Sequence, residues 1–170
     1  MKARPRGRPK GYRGAAAVLE PGQVRQLLRA AARTRHARRA EIALLLSIEL
    51  GLRASELAAL CLSDVFDGDG RVRPVIRVPW AGATRCVPMR SDALRTRLAD
   101  YRALEVSEFG RAGWPLLPSQ RGHHMSASSM QRYLTTLYRA ANIAGGSSRS
   151  GRRTFVAGLL MLGLNDLEIR

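Results

Sequence analysis

Leu50-Gly51-Leu52-Arg53-Ala54-Ser55-Glu56-Leu57 joins two apolar helical patterns, and an arginine stands at the join. Residues 40–50 are apolar on most faces, which predicts a helix central to a core. Gly51 supplies its stop, and residues 54–60 predict a short helix that follows directly. A guanidinium set among apolar neighbours is costly to bury unless it is paired or faces an anion. Glu56, three residues on, shares the helical face of Arg53 and can hold its guanidinium. Taken alone, the stretch reads first as a structural ion pair.

Working outward, Pro21 suits a first helical position, and Val24, Leu27, Leu28 and Ala31 recur at helical spacing behind it. A basic break, Arg33 to Arg39, separates that helix from the central one. It reads either as a solvated turn or as a phosphate-contact patch. Downstream the period changes. Asp67-Gly68-Asp69-Gly70 is a turn, and Val72, Val75, Ile76 and Val78 form a β-rich run interrupted by Pro74. Ala81-Gly82-Ala83 then leads into Arg85-Cys86-Val87, which predicts a small hairpin or a three-stranded sheet. Helices are expected again over residues 91–107 and 126–141. After the loop Gly145-Gly146-Ser147-Ser148, a last helix starts near Ser150 and carries Phe155, Leu159 and Leu160. The expected class is mainly α with a small antiparallel β-sheet, and no internal repeat is present.

Charge narrows the function. The chain has 170 residues with 29 Lys+Arg against 13 Asp+Glu, a formal net charge of +16, as expected of a protein that meets a polyanion. Only Lys2 and Lys10 are lysines, so the excess is almost all arginine. Residues 1–14, MKARPRGRPKGYRG, hold six basic groups and no acid and predict a disordered basic tail. Within it, Pro5-Arg6-Gly7-Arg8-Pro9 favours an extended Arg-Gly-Arg strip that fits the narrow, negative minor groove of A·T-rich DNA. It resembles an AT-hook, although a generic basic tail touching phosphates is an equal reading. No apolar run reaches membrane-spanning length and no signal-peptide pattern opens the chain. Cys61 and Cys86 show neither a disulfide framework nor a zinc spacing. The expectation is a cytoplasmic, nucleoid-associated protein with duplex DNA as partner, no membrane contact, no cofactor and no metal.

The order of motifs then carries a resemblance. A helix, the GLRxSEL box at Gly51–Leu57, a helix ending in Ser63-Asp64, a hairpin closing on Val87-Pro88, the phrase Leu117-Pro118-Ser119, and Arg152-Arg153-Thr154-Phe155 with Gly163 resemble the catalytic domain of the tyrosine recombinases, the phage-integrase family. The resemblance runs from about residue 18 to the end. It divides the chain into the tail, residues 1–14, and a catalytic-domain-like region, residues 15–170. It implies that Arg53 is the first catalytic arginine, Glu56 the acid supporting it, and Arg152 the second arginine, both arginines clamping one scissile phosphate through bidentate contacts. Arg85 and the tail residues Arg6, Gly7 and Arg8 are expected to add DNA contacts.

Other family positions differ. The hairpin lysine, counted back from Val87-Pro88, falls at or near Trp80. Arg149 stands where a histidine precedes the second arginine. Tyr12, Tyr101, Tyr133 and Tyr138 all precede Arg152, so none occupies the nucleophile's place. Transesterification needs an attacking oxygen and an acid for the leaving oxygen, and the expectation is a fold incomplete at its C-terminus that binds DNA without cleaving it alone. Two alternatives stay open. The chain is the front part of a strand-exchanging integrase whose missing groups come from another polypeptide, a full-length recombinase or an oligomeric partner; or it is a basic RNA-binding or scaffold module. Among the remaining residues, His123-His124 read as loop residues rather than metal ligands, Trp80 and Trp114 as packing before base stacking, and Cys61 as a small core residue.

Overall fold

The computed structural model describes residues 15–80, 82–105 and 113–163. Pro21 occupies the first turn of α1 (Pro21–Ala32), and the Glu20 amide is capped by Gln23 Oε1 at 3.0 Å. Leu27 and Ala31 are buried, as the spacing requires. The central helix α2 (Ala37–Glu49) begins three residues earlier than its apolar pattern indicates. It buries Ile42, Ala43, Leu44, Leu45 and Leu46, residues on more than one face, because α1 and the helices Asp92–Glu105 and Ser150–Met161 all pack against it.

Gly51 ends α2 with φ of +65°, a left-handed conformation that glycine adopts without strain. The chain folds back there: the Leu52 amide reaches Leu46 O at 3.3 Å, and Ser47 Oγ donates to Leu52 O at 3.1 Å. Then α3 (Ala54–Ala59) starts. It stops before Leu60, and a separate short turn, α4 (Leu62–Val65), follows. Cys61 lies in that break, half-exposed, its amide capped by Asp64 at 2.8 Å. It is therefore a helix-start residue and not the core residue expected from its apolar neighbours.

The β region is a two-stranded antiparallel hairpin, β1 (Val75–Trp80) and β2 (Ala83–Pro88), with Ile76 opposite Val87 and Val78 opposite Arg85. Val72 stays outside it, making an isolated bridge to Phe66, because Pro74 interrupts the run. Ile76, Val78 and Val87 are buried, and β1 packs on α3 and α4. Arg85 shares the inward face of its cross-strand neighbour Val78. Next come α5 (Asp92–Glu105), with Ser91 Oγ capping Leu94, and α6 (Ala127–Ala140), capped by Ser126 on Ser129.

The last described helix, α7 (Ser150–Met161), crosses α2 closely. Gly151 is buried against Ser47, where an added Cβ collides with Ser47 Oγ, and a Cβ on Gly51 collides with the Phe155 ring. The two glycines let the end of α2 and the start of α7 touch. No helix among the described residues is long and apolar enough to cross a membrane.

Candidate functional site: an arginine cleft

The turn at Gly51 delivers Arg53 to the start of α3, its side chain exposed to a cleft while Leu52 and Ala54 are buried. Glu56 does support Arg53, but the support reaches the backbone: the Arg53 amide donates to Glu56 Oε2 at 2.6 Å. The carboxylate, on a residue only 3% exposed, has a second partner that sequence spacing does not show. Arg85, arriving from β2, donates from Nε to Oε1 at 3.0 Å and from Nη2 to Oε2 at 3.2 Å. This fork-on-fork geometry is the strongest form of the arginine–carboxylate bond. Arg85 thus enters as part of the site's frame rather than as a separate surface contact.

Arg152 comes from the first turn of α7. Its Nη1 donates to Gly51 O at 2.7 Å, which ties it to the α2–α3 junction across a separation of 101 residues. Burial, and then the positive charge of Arg53, lower its pKa; Glu56 raises it and Arg85 lowers it again. Two like charges, Arg53 and Arg85, and one opposite charge, Glu56, thus act on the Arg152 guanidinium. An anion placed among them relieves that repulsion.

The space in front of the arginines is a cleft of about 550 Å³ lined by Arg53, Ser55, Gln131, Ser148, Arg149, Arg152 and Arg153, with Ala54 and Val156. The N-terminus of α7 opens into it, adding the positive end of a helix dipole. On the far side of Arg152 a second hollow of about 500 Å³ is lined by Arg85, Cys86, Val87, Pro88, Arg90, Phe155 and others. Planar guanidinium forks suit the non-bridging oxygens of a phosphodiester.

The structure brings together Arg53, Glu56, Arg85, Arg149 and Arg152 of the residues expected from sequence. Arg149 is exposed at the start of α7 and lines the cleft. Arg6, Gly7, Arg8 and Tyr12 lie outside the described residues, as does the side chain of Trp80. Ser55, Gln131, Ser148 and Arg153 were not singled out from sequence. Of these only Arg153, adjoining Arg152, carried a local signal.

The described tyrosines belong to the core. Tyr101 is 3% exposed and donates to Leu116 O at 2.8 Å. Tyr133 lies beneath Arg39, whose Cζ is 5.4 Å from the ring centroid. Tyr138 is 1% exposed, and burial pushes its phenol well above the usual range, a shift that the Gly151 backbone only partly offsets.

Arg39 also resolves one alternative in the basic break. It is buried and donates to Pro118 O at 2.6 Å, whereas Arg33, Arg35 and Arg38 are exposed. Trp114 packs against the core. The His124 ring nitrogens face Ala58 O at 2.9 Å and Gly113 O at 3.1 Å, and Nε2 also lies 3.8 Å from Cys61 Sγ. That last proximity is invisible across 63 sequence positions, and among the described residues no third metal-ligating side chain joins the pair.

No curated protein sequence matches the chain. Among solved structures, it is similar to XerA recombinase, with a TM-score of 0.73 at 24% identity over 92% of this chain and 55% of that one. It is also similar to the Tn1549 transposon integrase in complex with transposon right end DNA, with a TM-score of 0.69 at 19% identity over 92% and 57% of the two chains. A lambda integrase dimer bound to a COC′ core site gives a TM-score of 0.65 at 16% identity over 90% and 55%. The chain thus spans a little over half the length of these recombinase structures and shares their fold. The sequence profile of the phage integrase family matches residues 17–169, nearly the whole chain, and the chain belongs to that family.

Proposed function

We propose that these 170 residues bind duplex DNA by clamping one backbone phosphate between Arg53 and Arg152, and that alone they do not cut it. The observation that carries this reading is the convergence of the two arginines on one cleft, with Arg152 bonded to Gly51 O beside Arg53. Glu56 and Arg85 form the frame that keeps this junction in place. The net charge of +16 supplies the sequence-independent attraction. Family membership supports the choice of DNA over another polyanion.

Cleavage is a different matter. Among the described residues lining the two cavities there is no tyrosine, histidine or lysine. Arginine does not give up its proton near neutral pH, so it is a poor acid for a leaving oxygen. The chemistry that remains is electrostatic, namely holding a phosphodiester and its developing charge. If strand exchange occurs, the attacking oxygen and the acid come from outside these 170 residues, acting on a phosphate held here. The reading places the protein at the nucleoid, as an element of mobile DNA acting in the cytoplasm.

The test combines affinity with covalent capture. Arg53→Ala and Arg152→Ala each remove a charge-assisted contact of about 1.5–3 kcal/mol, so each weakens duplex binding by roughly tenfold or more. Two arginines on one phosphate give a double mutant whose loss falls short of the sum. Additive losses, or losses seen only as reduced melting temperature, sink the clamp. A denaturation-resistant adduct formed on a nicked suicide substrate by these residues alone sinks the non-cleaving half. Tighter binding to A-form RNA than to duplex DNA favours the RNA-module reading instead.

A further inference from the structure

The outer face of α1 carries a row of arginines that the cleft does not use. Arg25, Arg29 and Arg33 recur every fourth residue, so they follow one another along one side of the helix, and Arg35 continues the row into the turn that follows. All four are exposed, and α1 itself contains no acidic residue. Arg71, Arg85, Arg95 and Arg97 each have an acidic partner, whereas among the described residues no carboxylate pairs with Arg25, Arg29, Arg33 or Arg35. Like charges four residues apart destabilise a helix. The helix dipole offsets that cost for Arg29 and Arg33 at the C-terminal end, but not for Arg25 near the middle.

Hydrogen bonds from its start and middle place this helix beside the cleft. The Leu19 amide donates to Thr154 Oγ1 at 2.9 Å, the Ala17 amide to Gly145 O at 3.1 Å, and Gln26 Nε2 to Ala141 O at 2.7 Å. The first half of α1 is thus pinned to the segment between α6 and α7, which ends in Ser148 and Arg149 on the cleft wall. Arg25 adjoins Gln26 in sequence and Arg29 follows one turn later, so the row starts beside that segment. We infer that Arg25, Arg29 and Arg33, with Arg35 beyond them, form a track for the backbone phosphates of the duplex on one side of the clamped phosphate. The inference rests on the DNA-clamp reading and adds to it a second contact surface and a direction in which the duplex leaves the cleft. It also gives Arg33 and Arg35, in the basic break, the phosphate-contact role that the sequence leaves open.

Helix geometry sets the length of the track. Four residues advance about 6 Å, so Arg25 to Arg33 covers about 12 Å, or roughly three to four base pairs at about 3.4 Å each. Each strand places one charge in every such step, so every arginine of the row meets a phosphate. A phosphate set between two neighbouring arginines also relieves the repulsion between them. Contacts of this kind release counterions and carry no base preference. The row therefore raises affinity without choosing sequence, and it acts independently of the clamp on the same duplex.

The experiment measures the affinity of the full chain for an A·T-rich and a G·C-rich duplex of equal length across a range of salt, with melting temperatures taken in parallel. The variants are Arg25→Gln with Arg29→Gln, the same two positions changed to Lys, and a control of equal charge, Arg71→Gln with Arg97→Gln, whose arginines already have acidic partners. The expected result for the Gln pair is a loss of about tenfold on both duplexes at low salt. The slope of log affinity against log salt falls by about 1.8, or about 0.9 for each phosphate released. The Lys pair keeps most of the affinity, since a phosphate held by charge alone accepts an ammonium. The control keeps the parent slope, and the melting temperature of the Gln pair does not fall. Adding Arg53→Ala to the Gln pair gives the sum of the two separate losses.

A loss from the Gln pair no larger than that from the control overturns the proposal, because net charge alone then accounts for it. So does a loss confined to one duplex composition, which makes the arginines base readers, or a loss matched by a fall in melting temperature, which makes them structural. A Gln pair that keeps its affinity for one duplex but no longer draws a second duplex into the complex also overturns it, by moving the row to another DNA molecule. Failure of the underlying reading looks different. Arg53→Ala then leaves affinity for both duplexes unchanged while the loss from the Gln pair persists, which removes the clamped phosphate and with it the flanking placement.

Discussion

Glu56→Gln isolates the frame of the site. The carboxylate takes three donors on two oxygens: Arg85 Nε on Oε1, and the Arg53 amide with Arg85 Nη2 on Oε2. Glutamine preserves the shape but offers one acceptor oxygen, and its own NH₂ is pressed against a donor. The residue is 3% exposed and the Arg85 side chain 24% exposed, so water restores little of the loss. Breaking a fully buried pair costs about 3–5 kcal/mol, and a charged hydrogen bond contributes about 1.5–3. The partly open Arg85 end places this change at roughly 2–4 kcal/mol. For a chain of this size that corresponds to a fall in melting temperature of about 5–15 °C.

The same change removes a negative charge that acts on Arg152, so an incoming phosphate meets a more positive site. Thermal unfolding followed by far-UV circular dichroism at low salt reads the first effect, and DNA affinity below the transition reads the second. The expected pairing is lower stability with equal or tighter binding by the folded protein, and stability partly regained when DNA is added. An unchanged melting temperature together with a tenfold loss of affinity refutes the reasoning, because Glu56 then serves the ligand directly and not the frame.

Other perturbations follow from the same geometry. Gly51→Ala combines a positive φ with a collision against Phe155, and is expected to cost about 2–4 kcal/mol by denaturant titration while weakening DNA binding, because Gly51 O orients Arg152. Tyr138→Phe removes a buried hydroxyl that has no hydrogen-bond partner among the described residues, so the melting temperature at neutral pH is expected to hold or rise slightly. Because burial raises the folded-state pKa of Tyr138, its contribution is intact below the unfolded tyrosine pKa near 10 and is lost as pH climbs beyond it. Alkaline unfolding of the Tyr138→Phe variant therefore falls off less steeply than that of the parent, and identical curves contradict the assignment. Log affinity for duplex DNA is expected to fall linearly with log salt by about 0.9 per phosphate engaged, and a flat response excludes phosphate contacts as the main attraction.

Much of the fold can be read from local pattern because its elements carry local signals. Pro21 starts α1, the continuous apolar stretch of α2 marks the centre, Gly51 marks the reversal, and Ser126 marks the start of α6. The errors lie where tertiary contact overrides neighbours. Cys61 follows an apolar helix yet caps the next one through Asp64, since the backbone turns between Leu60 and Leu62. Arg39 sits in a run of arginines with nothing local to distinguish it, and it is buried because Pro118 O and the Tyr133 ring arrive from distant segments. Arg53, Glu56 and Arg152 were recoverable from motif order, but the wiring among them was not. Helical spacing assigns Glu56 to the Arg53 guanidinium three residues back. The backbone geometry of a helix start turns that carboxylate onto the Arg53 amide, and both of its oxygens also accept from Arg85, 29 residues away.

That rewiring explains how one acid organises a site made almost wholly of arginine. With Glu56 bonded to the Arg53 backbone, the acid fixes where the arginine starts, and its charge is shared with Arg85 from the hairpin. Arg152 is fixed by a neutral carbonyl, Gly51 O. Under the proposed clamp, both arginines are positioned through backbone contacts, the kind of preorganisation that makes guanidinium groups effective against a phosphate.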